Sequence, residues 1–268
     1  MSTYSKGSQP PTSRNPKPET GNRKRKSLGQ CFLEDRNILA LEAKLAECGG
    51  KTVLEIGAGD GRLTEAILQQ NPGRLIAIEL DENFVALLRK KFEGVPLVEI
   101  VQADFLELEP VPADVIMGNI PYYISSDIIF RLKDYQFGKA VLLVQKEFAE
   151  KMGASPGDRN YGRLSVTAQI AFEICIERTV LRHLFRPVPK VDSAIIILAP
   201  TGKSISQFEE NIIRYIFQHK KKTVRNALLD SKMFGKEEID RIGPFARRRG
   251  VTLSKDECLE IARLLGKA

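Results

Sequence analysis

The chain has 268 residues, 43% of them hydrophobic, which is enough for one large core or a large core with a smaller appendage; no apolar run nears the ~20 residues of a bilayer-spanning helix, and no apolar signal-type segment opens it, so a cytoplasmic address without membrane contact is expected. The four cysteines, Cys31, Cys48, Cys175 and Cys258, are scattered with no C-x-x-C pair and no nearby histidine, which argues against a metal site or a disulfide framework and, Cys31 apart, marks them as packing residues. The net charge of +7 is split along the chain: residues 1–27 hold seven Lys/Arg and one acid, residues 28–200 hold 19 and 24, and residues 201–268 hold 15 and nine, as if a polyanion were gripped from the flanks while the acidic middle did other work.

Residues 1–26 are rich in Ser, Pro, Lys and Asn and end in Arg23-Lys24-Arg25-Lys26, so residues 1–27 read as a disordered basic arm. From Leu28, short apolar runs alternate with amphipathic stretches: Thr52 to Ile56, Leu75 to Ile78, Leu97 to Val101, Val115 to Met117 and Ala140 to Val144. That is the rhythm of a mostly parallel, doubly wound α/β sheet. Two later β-rich runs, Ile170 to Val180 and Ser193 to Leu198, fit a terminal antiparallel pair. After Pro200 the strands stop, and Ile205 to Phe217, Thr223 to Leu229, Lys236 to Ile242 and Lys255 to Leu265 read as helices, the last with Ser254 as N-cap. The expected organisation is an arm over 1–27, an α/β domain over 28–199 and a small basic all-helical domain over 200–268, with no internal repeat.

The first strand runs into Leu54-Glu55-Ile56-Gly57-Ala58-Gly59-Asp60-Gly61-Arg62, a glycine-rich turn that opens a helix and lets a ligand approach the backbone. Its spacing is G-x-G-x-G, and Arg62 stands where a dinucleotide fingerprint has its third glycine, which weighs against NAD. Glu79 closes the next strand, 22 residues after Gly57, where a carboxylate can accept both hydroxyls of a ribose. Asp104 follows the third strand, placed to accept an adenine amino group while Phe105 lines the ring. Singly, each acid is more readily read as a solvated loop residue or a helix N-cap. In register at successive strand ends, turn and acids suit the methionine, ribose and adenine of S-adenosylmethionine.

The fourth strand leads into Asn119-Ile120-Pro121-Tyr122. Ligands of open α/β sheets bind at the carboxyl ends of strands. There the Asn119 amide oxygen and the Ile120 carbonyl offer two acceptors for an exocyclic amine, Pro121 fixes the backbone that aims them, and Tyr122 offers a π face. The plainer reading of these four residues is a strand-to-helix turn. His183 and His219, the only histidines, lie far apart and are given no catalytic role.

Together these segments resemble the rRNA adenine N6,N6-dimethyltransferases of the small-subunit type, S-adenosylmethionine-dependent class I methyltransferases, from about Leu28 to the C-terminus. The likeness rests on Leu28-Gly29-Gln30-Cys31-Phe32-Leu33, the glycine turn, Glu79, Asp104, Asn119-Ile120-Pro121-Tyr122-Tyr123-Ile124-Ser125 and Tyr161-Gly162-Arg163-Leu164-Ser165-Val166. It continues through Phe185-Arg186-Pro187-Val188-Pro189-Lys190-Val191-Asp192-Ser193 and Lys222-Thr223-Val224-Arg225-Asn226-Ala227-Leu228.

The resemblance implies a Rossmann-like methyltransferase domain followed by the helical tail. Two methyl groups would be transferred to N6 of each of two adjacent adenines in a small-subunit rRNA hairpin loop during ribosome assembly. The partner would be that rRNA or the immature small subunit, and the chain a monomer. Gln30, Cys31 and Leu33 would help close over the cofactor, with Gly57 and Gly59 at its methionine end, Glu79 at its ribose, Asp104 at its adenine and Asn119 between cofactor and amine. Asn119, Ile120 and Tyr122 would carry the catalysis, and Tyr122 and Phe185 would clamp an unstacked base, against a plainer reading of both rings as core packing. Cys31 stands where relatives often carry Asn or His, and a thiol is a weak hydrogen-bond partner, so contact there is expected through its backbone. Lys220, Lys221, Lys222 and Arg225 form one basic cluster and Arg247, Arg248 and Arg249 another, both suited to RNA phosphates. Three rivals remain open: a large-subunit rRNA adenine methyltransferase of the antibiotic-resistance type, a ribosome-assembly factor that keeps the fold without turnover, and a methyltransferase for DNA adenine or protein glutamine.

Overall fold

Strands apolar at nearly every position, rather than at alternate ones, are strands covered on both faces. The computed structural model describes residues 31–219 and 221–266, and it buries the runs of this kind in the middle of one sheet. The elements begin with β1 (Phe32–Leu33), α1 (Arg36–Ala46), β2 (Thr52–Ile56), α2 (Arg62–Leu68), β3 (Arg74–Glu79), α3 (Glu82–Lys91) and β4 (Val98–Gln102). They continue with β5 (Val115–Asn119), α4 (Ser125–Arg131), β6 (Lys139–Gln145), α5 (Lys146–Gly153), α6 (Arg163–Ala171), β7 (Phe172–Val180), β8 (Phe185–Arg186) and β9 (Ser193–Pro200). The tail adds α7 (Gln207–Gln218), α8 (Val224–Asp230), α9 (Lys236–Asp240) and α10 (Lys255–Gly266).

The seven-stranded sheet runs β4-β3-β2-β5-β6-β9-β7, parallel from β4 through β6 and then antiparallel at β9 and β7. Chain order reverses between β2 and β5, which opens a crevice at their carboxyl ends. Alternate strand residues feed two cores. Val53, Leu75, Met117 and Leu143 pack with Leu39 and Ala43 of α1 and Leu63 and Ile67 of α2. Leu54, Ile76, Ile116 and Leu142 pack with Ile128 of α4, Met152 of α5 and Ala168 of α6. The Gly118 position permits β5 to lie against β2, because a Cβ there would stand 2.7 Å from the Ile56 carbonyl oxygen.

The tail does not pack alone. Ile212, Ile216, Leu228 and Ile261 share a core with Tyr161, Val166 and Ile170, and the buried Tyr161 hydroxyl donates to the Leu253 carbonyl at 2.7 Å. The Lys255 ammonium reaches the Gln169 carbonyl at 2.8 Å. Ser254 caps α10 as expected, accepting from Glu257 N–H at 3.1 Å while Glu257 Oε2 accepts from Ser254 N–H at 2.8 Å.

Two expectations are corrected. Ile170 and Ala171 close α6 rather than opening a strand, because Val166 and Ile170, one turn apart, bury into the tail core, and packing overrides β-branched preference. Cys175 is exposed on the sheet's edge strand β7, whereas Cys48 and Cys258 are buried as packing residues. The short β1–β8 pair has no local signal in the sequence, and it joins Phe32 and Leu33 to Arg186 and Phe185. The arm over 1–27, Gln30 and Lys220 lie outside the described residues.

Candidate active site

After β2 the chain turns through Gly57, Gly59 and Gly61, all at positive φ (71°, 55° and 78°), a conformation that glycine adopts without strain. The N–H groups of Gly57 and Ala58 both donate to the Ile78 carbonyl, at 2.9 and 3.1 Å, which ties the turn to the end of β3. Glu79 is buried beside it. Its Oε2 accepts Gly59 N–H at 2.8 Å, and its Oε1 accepts the N–H groups of Leu80 and Asp81 at 2.8 and 2.9 Å. A Cβ built on Gly57 meets nothing within 4 Å, so the space before the turn is open to a ligand. Phe32 walls one side, standing 3.1 Å from a Cβ built on Gly59, and its ring meets Phe84 edge-on at 5.5 Å. Arg62 fastens β1 to the turn through Asp60 (3.1 Å), Glu34 (3.6 Å) and the Leu33 carbonyl (3.4 Å). Asp104 sits half-buried at the next strand end, its Oδ1 accepting Leu106 N–H at 3.0 Å.

Across the crevice, Asn119 ends β5 with its Oδ1 buried and without a hydrogen-bond partner among the described residues. Ile120 N–H donates to the Leu143 carbonyl at 2.9 Å, continuing the ladder one residue past the strand. The Pro121 carbonyl accepts Ile124 N–H and the Ser125 hydroxyl, both at 3.2 Å, and starts the tight turn Tyr122–Ile124. This is the strand-to-helix turn of the plainer reading, and the acceptors stand on it all the same. The Tyr122 hydroxyl is 2.8 Å from Ser193 Oγ on β9, and burial pushes its pKa above the usual phenol value. Cys31 and Asp192 lie near enough to act on that hydroxyl, so β1, β5 and β9 converge there.

Two buried acids stand behind this edge, and neither is anticipated as a site residue. Glu55 of β2 accepts the Thr64 hydroxyl at 2.7 Å on Oε2, while its Oε1 has no partner. Glu42 of α1 has no close partner on either oxygen among the described residues, although the Asn119 amide lies near enough to act on it as a donor. Burial pushes both acids up to about 8. An available signal for Glu42 is its spacing with Leu39, Ala43 and Ala46, which puts an acid on the apolar face of α1.

Two expected contacts change character. Leu33 is 3% exposed and Phe185 2%, and both belong to the core cluster that includes Val180 and Ile195. The Phe185 ring, expected over a base, is held in by the β1–β8 pairing, and the loop presents Val188 to solvent instead, 52% exposed. Any ligand contact at Leu33 is left to its backbone. Among the described residues no group of three or more His, Cys, Asp or Glu is placed to hold a metal, and no helix is long and apolar enough to cross a membrane.

The two basic clusters meet in space. Thr223 bridges Arg249, and Val224 N–H donates to the Arg248 carbonyl at 2.8 Å. Lys222 pairs with Asp230, Arg225 with Asp240 and Arg248 with Glu257. Lys221, Arg247 and Arg249 are exposed and form no ion pair among the described residues.

Residues 21–245 match the family model described as ribosomal RNA adenine dimethylase. A probable ribosomal RNA small subunit methyltransferase A from Thermococcus onnurineus is 41% identical over 256 residues, covering 91% of this chain and 93% of that protein. The ribosomal RNA small subunit methyltransferase A of Geobacter sulfurreducens is 36% identical over 264 residues, covering 91% and 95%. Among solved structures, a dimethyladenosine transferase from Plasmodium falciparum superposes with a TM-score of 0.75 at 29% identity, covering 86% of this chain and 95% of that one. The 23S rRNA methyltransferase ErmE superposes at 0.66 with 30% identity, covering 88% and 100%.

Proposed function

The chain belongs to the ribosomal RNA adenine dimethylase family, and from that premise we propose that it dimethylates N6 of two adjacent adenines in a small-subunit rRNA hairpin loop, with S-adenosylmethionine as donor and the immature small subunit as substrate. The observation that carries the reading is Asn119 Oδ1, a buried acceptor without a partner among the described residues, near the anchored Tyr122.

The residues present fit that donor. The open space before Gly57 admits its methionine end. Three backbone donors hold Glu79 at the ribose position, and a carboxylate with about four acceptor sites keeps capacity for a hydroxyl. Asp104, with one oxygen taken up by Leu106, keeps the other for an adenine amino group. When bound, S-adenosylmethionine supplies an electrophilic methyl group.

The chain's own part is orientation. An adenine N6 lone pair is delocalised into the ring, which makes it a poor nucleophile. Acceptance of its two N–H groups by Asn119 Oδ1 and the Ile120 carbonyl favours a pyramidal nitrogen and places negative dipoles where positive charge develops. No strong base is needed, because the amine becomes acidic only as the new bond forms. The monomethylated amine has one N–H left, so the second transfer relies on one acceptor. Tyr122 stacks the extruded base, its ring set by Ser193. The tail cations hold phosphates and fix register without reading sequence.

The test is transfer of labelled methyl from S-adenosylmethionine to immature small subunits, large subunits and DNA, with nucleoside analysis of the product. Dimethyladenosine in small-subunit RNA alone is expected. Label in large-subunit RNA would move the target to that of the ErmE-like rival, and cofactor binding with no transfer to any substrate would leave the assembly-factor reading.

A further inference from the structure

A buried carboxyl stands behind Asn119. Glu42 is 2% exposed on the inner face of α1. Its carboxyl lies within hydrogen-bonding reach of the Asn119 amide, yet Glu42 Oε1, Glu42 Oε2 and Asn119 Oδ1 all lack a partner among the described residues. Buried polar atoms are nearly always paired, and the Asn119 amide, which draws the carboxyl's pKa down as a donor does, is the group that faces it. With the Nδ2 end of the amide toward the Glu42 carboxyl, Oδ1 is the end left for a ligand at the end of β5.

We propose that Glu42 is a positioning residue for methyl transfer: its carboxyl accepts a hydrogen bond from Asn119 Nδ2 and thereby presents Asn119 Oδ1 to the N6 amine. The inference rests on the reading of Asn119 as the amine's acceptor. An acid in this place is otherwise a liability, since it interrupts the apolar face formed by Leu39, Ala43 and Ala46. Burial, with the Glu55 carboxyl nearby, pushes Glu42 up to about 8, so at neutral pH it is a neutral acid that retains a carbonyl acceptor.

The experiment compares Glu42→Leu and Glu42→Gln, each alone and combined with Asn119→Ala, by single-turnover methyl transfer, S-adenosylmethionine affinity and thermal midpoint. Glu42→Leu is expected to slow transfer roughly 10- to 100-fold, as misplacement of a reacting group does, with cofactor affinity within about three-fold and no fall in midpoint. Glu42→Gln keeps a carbonyl acceptor and is expected to restore most of the rate. In the Asn119→Ala background, Glu42→Leu should slow transfer no further. A merely structural role would instead lower the midpoint and multiply with Asn119→Ala. Wild-type transfer by Glu42→Leu while Asn119→Ala is slow overturns the inference alone; wild-type transfer by Asn119→Ala overturns the reading of Asn119 and this inference with it. Should Glu42→Leu not fold, Glu42→Met makes the same comparison, because it too removes the acceptor.

Discussion

At the carboxyl edge of the sheet the groups assigned to ligand are held by backbone: Glu79 by three N–H groups, the glycine turn by the Ile78 carbonyl, and Ile120 by the Leu143 carbonyl. On the tail the cations assigned to phosphate are held, where they are held, mostly by exposed carboxylates, Lys222 by Asp230 and Arg225 by Asp240, with Arg248 on the half-buried Glu257 and the Thr252 carbonyl. Backbone bonds of this kind cannot change partners without unfolding the strand ends. An exposed ion pair contributes only ~0–1 kcal/mol and gives way to a phosphate. The edge is therefore built for one geometry and the tail for many. Substitutions at the edge should change rate at constant RNA affinity, and substitutions on the tail should change affinity and its salt dependence at constant chemistry.

The sharpest test of the first half is Asn119→Ala. Loss of one preorganised acceptor costs about 100- to 1000-fold in turnover, while cofactor and RNA affinity stay within a few-fold. A loss of RNA affinity as large as the loss of rate would break the division between the two regions. The second half is tested by neutralising Lys221, Arg247 and Arg249 together and, separately, Lys222, Arg225 and Arg248. The slope of log affinity against log salt should become shallower by about two to three for the first set, roughly 0.7–0.9 per lost phosphate contact, and by less for the second, whose cations must first leave their carboxylates. Equal changes would mean that the observed pairing has no bearing on RNA binding.

The two regions also differed in how far they could be read in advance. β2 falls on the expected Thr52 to Ile56, because an apolar run bounded by glycines needs no distant information. The acids at the ends of the strands stand where topology puts them, since position along a parallel strand fixes which end faces the crevice. Glu79 brought a surprise all the same: its carboxylate grips Gly59 N–H directly, a contact that no spacing rule states. Phe185 looked like a loop aromatic free to cover a base, and only the pairing of β8 with β1, over 150 residues away in sequence, explains why its ring is buried. Ser193 and Glu42 were passed over because each acts through another residue, Tyr122 and Asn119, and sequence does not show which side chains touch. On the tail, the two basic clusters could be seen but not their adjacency, which depends on the Thr223–Arg249 bridge.

The acids of the two regions respond to pH in opposite directions. Burial pushes Glu55 from its ordinary 4.5 up to about 8, so across that window it is protonated in the fold and ionised in the unfolded chain. Its contribution to stability is therefore complete below about 4.5 and is lost as pH rises toward 8, with a slope of up to about 1.4 kcal/mol per pH unit. On the tail, the Lys222 hydrogen bond holds Asp230 below its usual range, and Arg248 does the same for Glu257, so their contributions are present at neutral pH and lost on acidification. Glu55→Gln removes one titration and leaves the Thr64 hydroxyl an acceptor. Relative to the parent chain, the variant should gain stability steadily in urea unfolding from pH 5 to pH 8. A constant difference across that range would mean that Glu55 is ionised in the fold.

The smallest effect is expected where the edge is held by a side chain rather than by backbone. Ser193, wholly buried on β9, meets the Tyr122 hydroxyl at 2.8 Å, and this bond sets the angle of the ring on which the base is to stack. Its loss removes about 0.5–1.5 kcal/mol of net interaction, so Ser193→Ala should slow methyl transfer by roughly two- to ten-fold. Tyr122→Phe keeps the stacking face and loses the same bond, so its effect should match. The double variant should be no slower than either single one, because one bond cannot be lost twice. Losses that multiplied would show that Ser193 and Tyr122 serve separate ends, and the ring would then owe its angle to the backbone turn that follows Pro121, as the rest of this edge does.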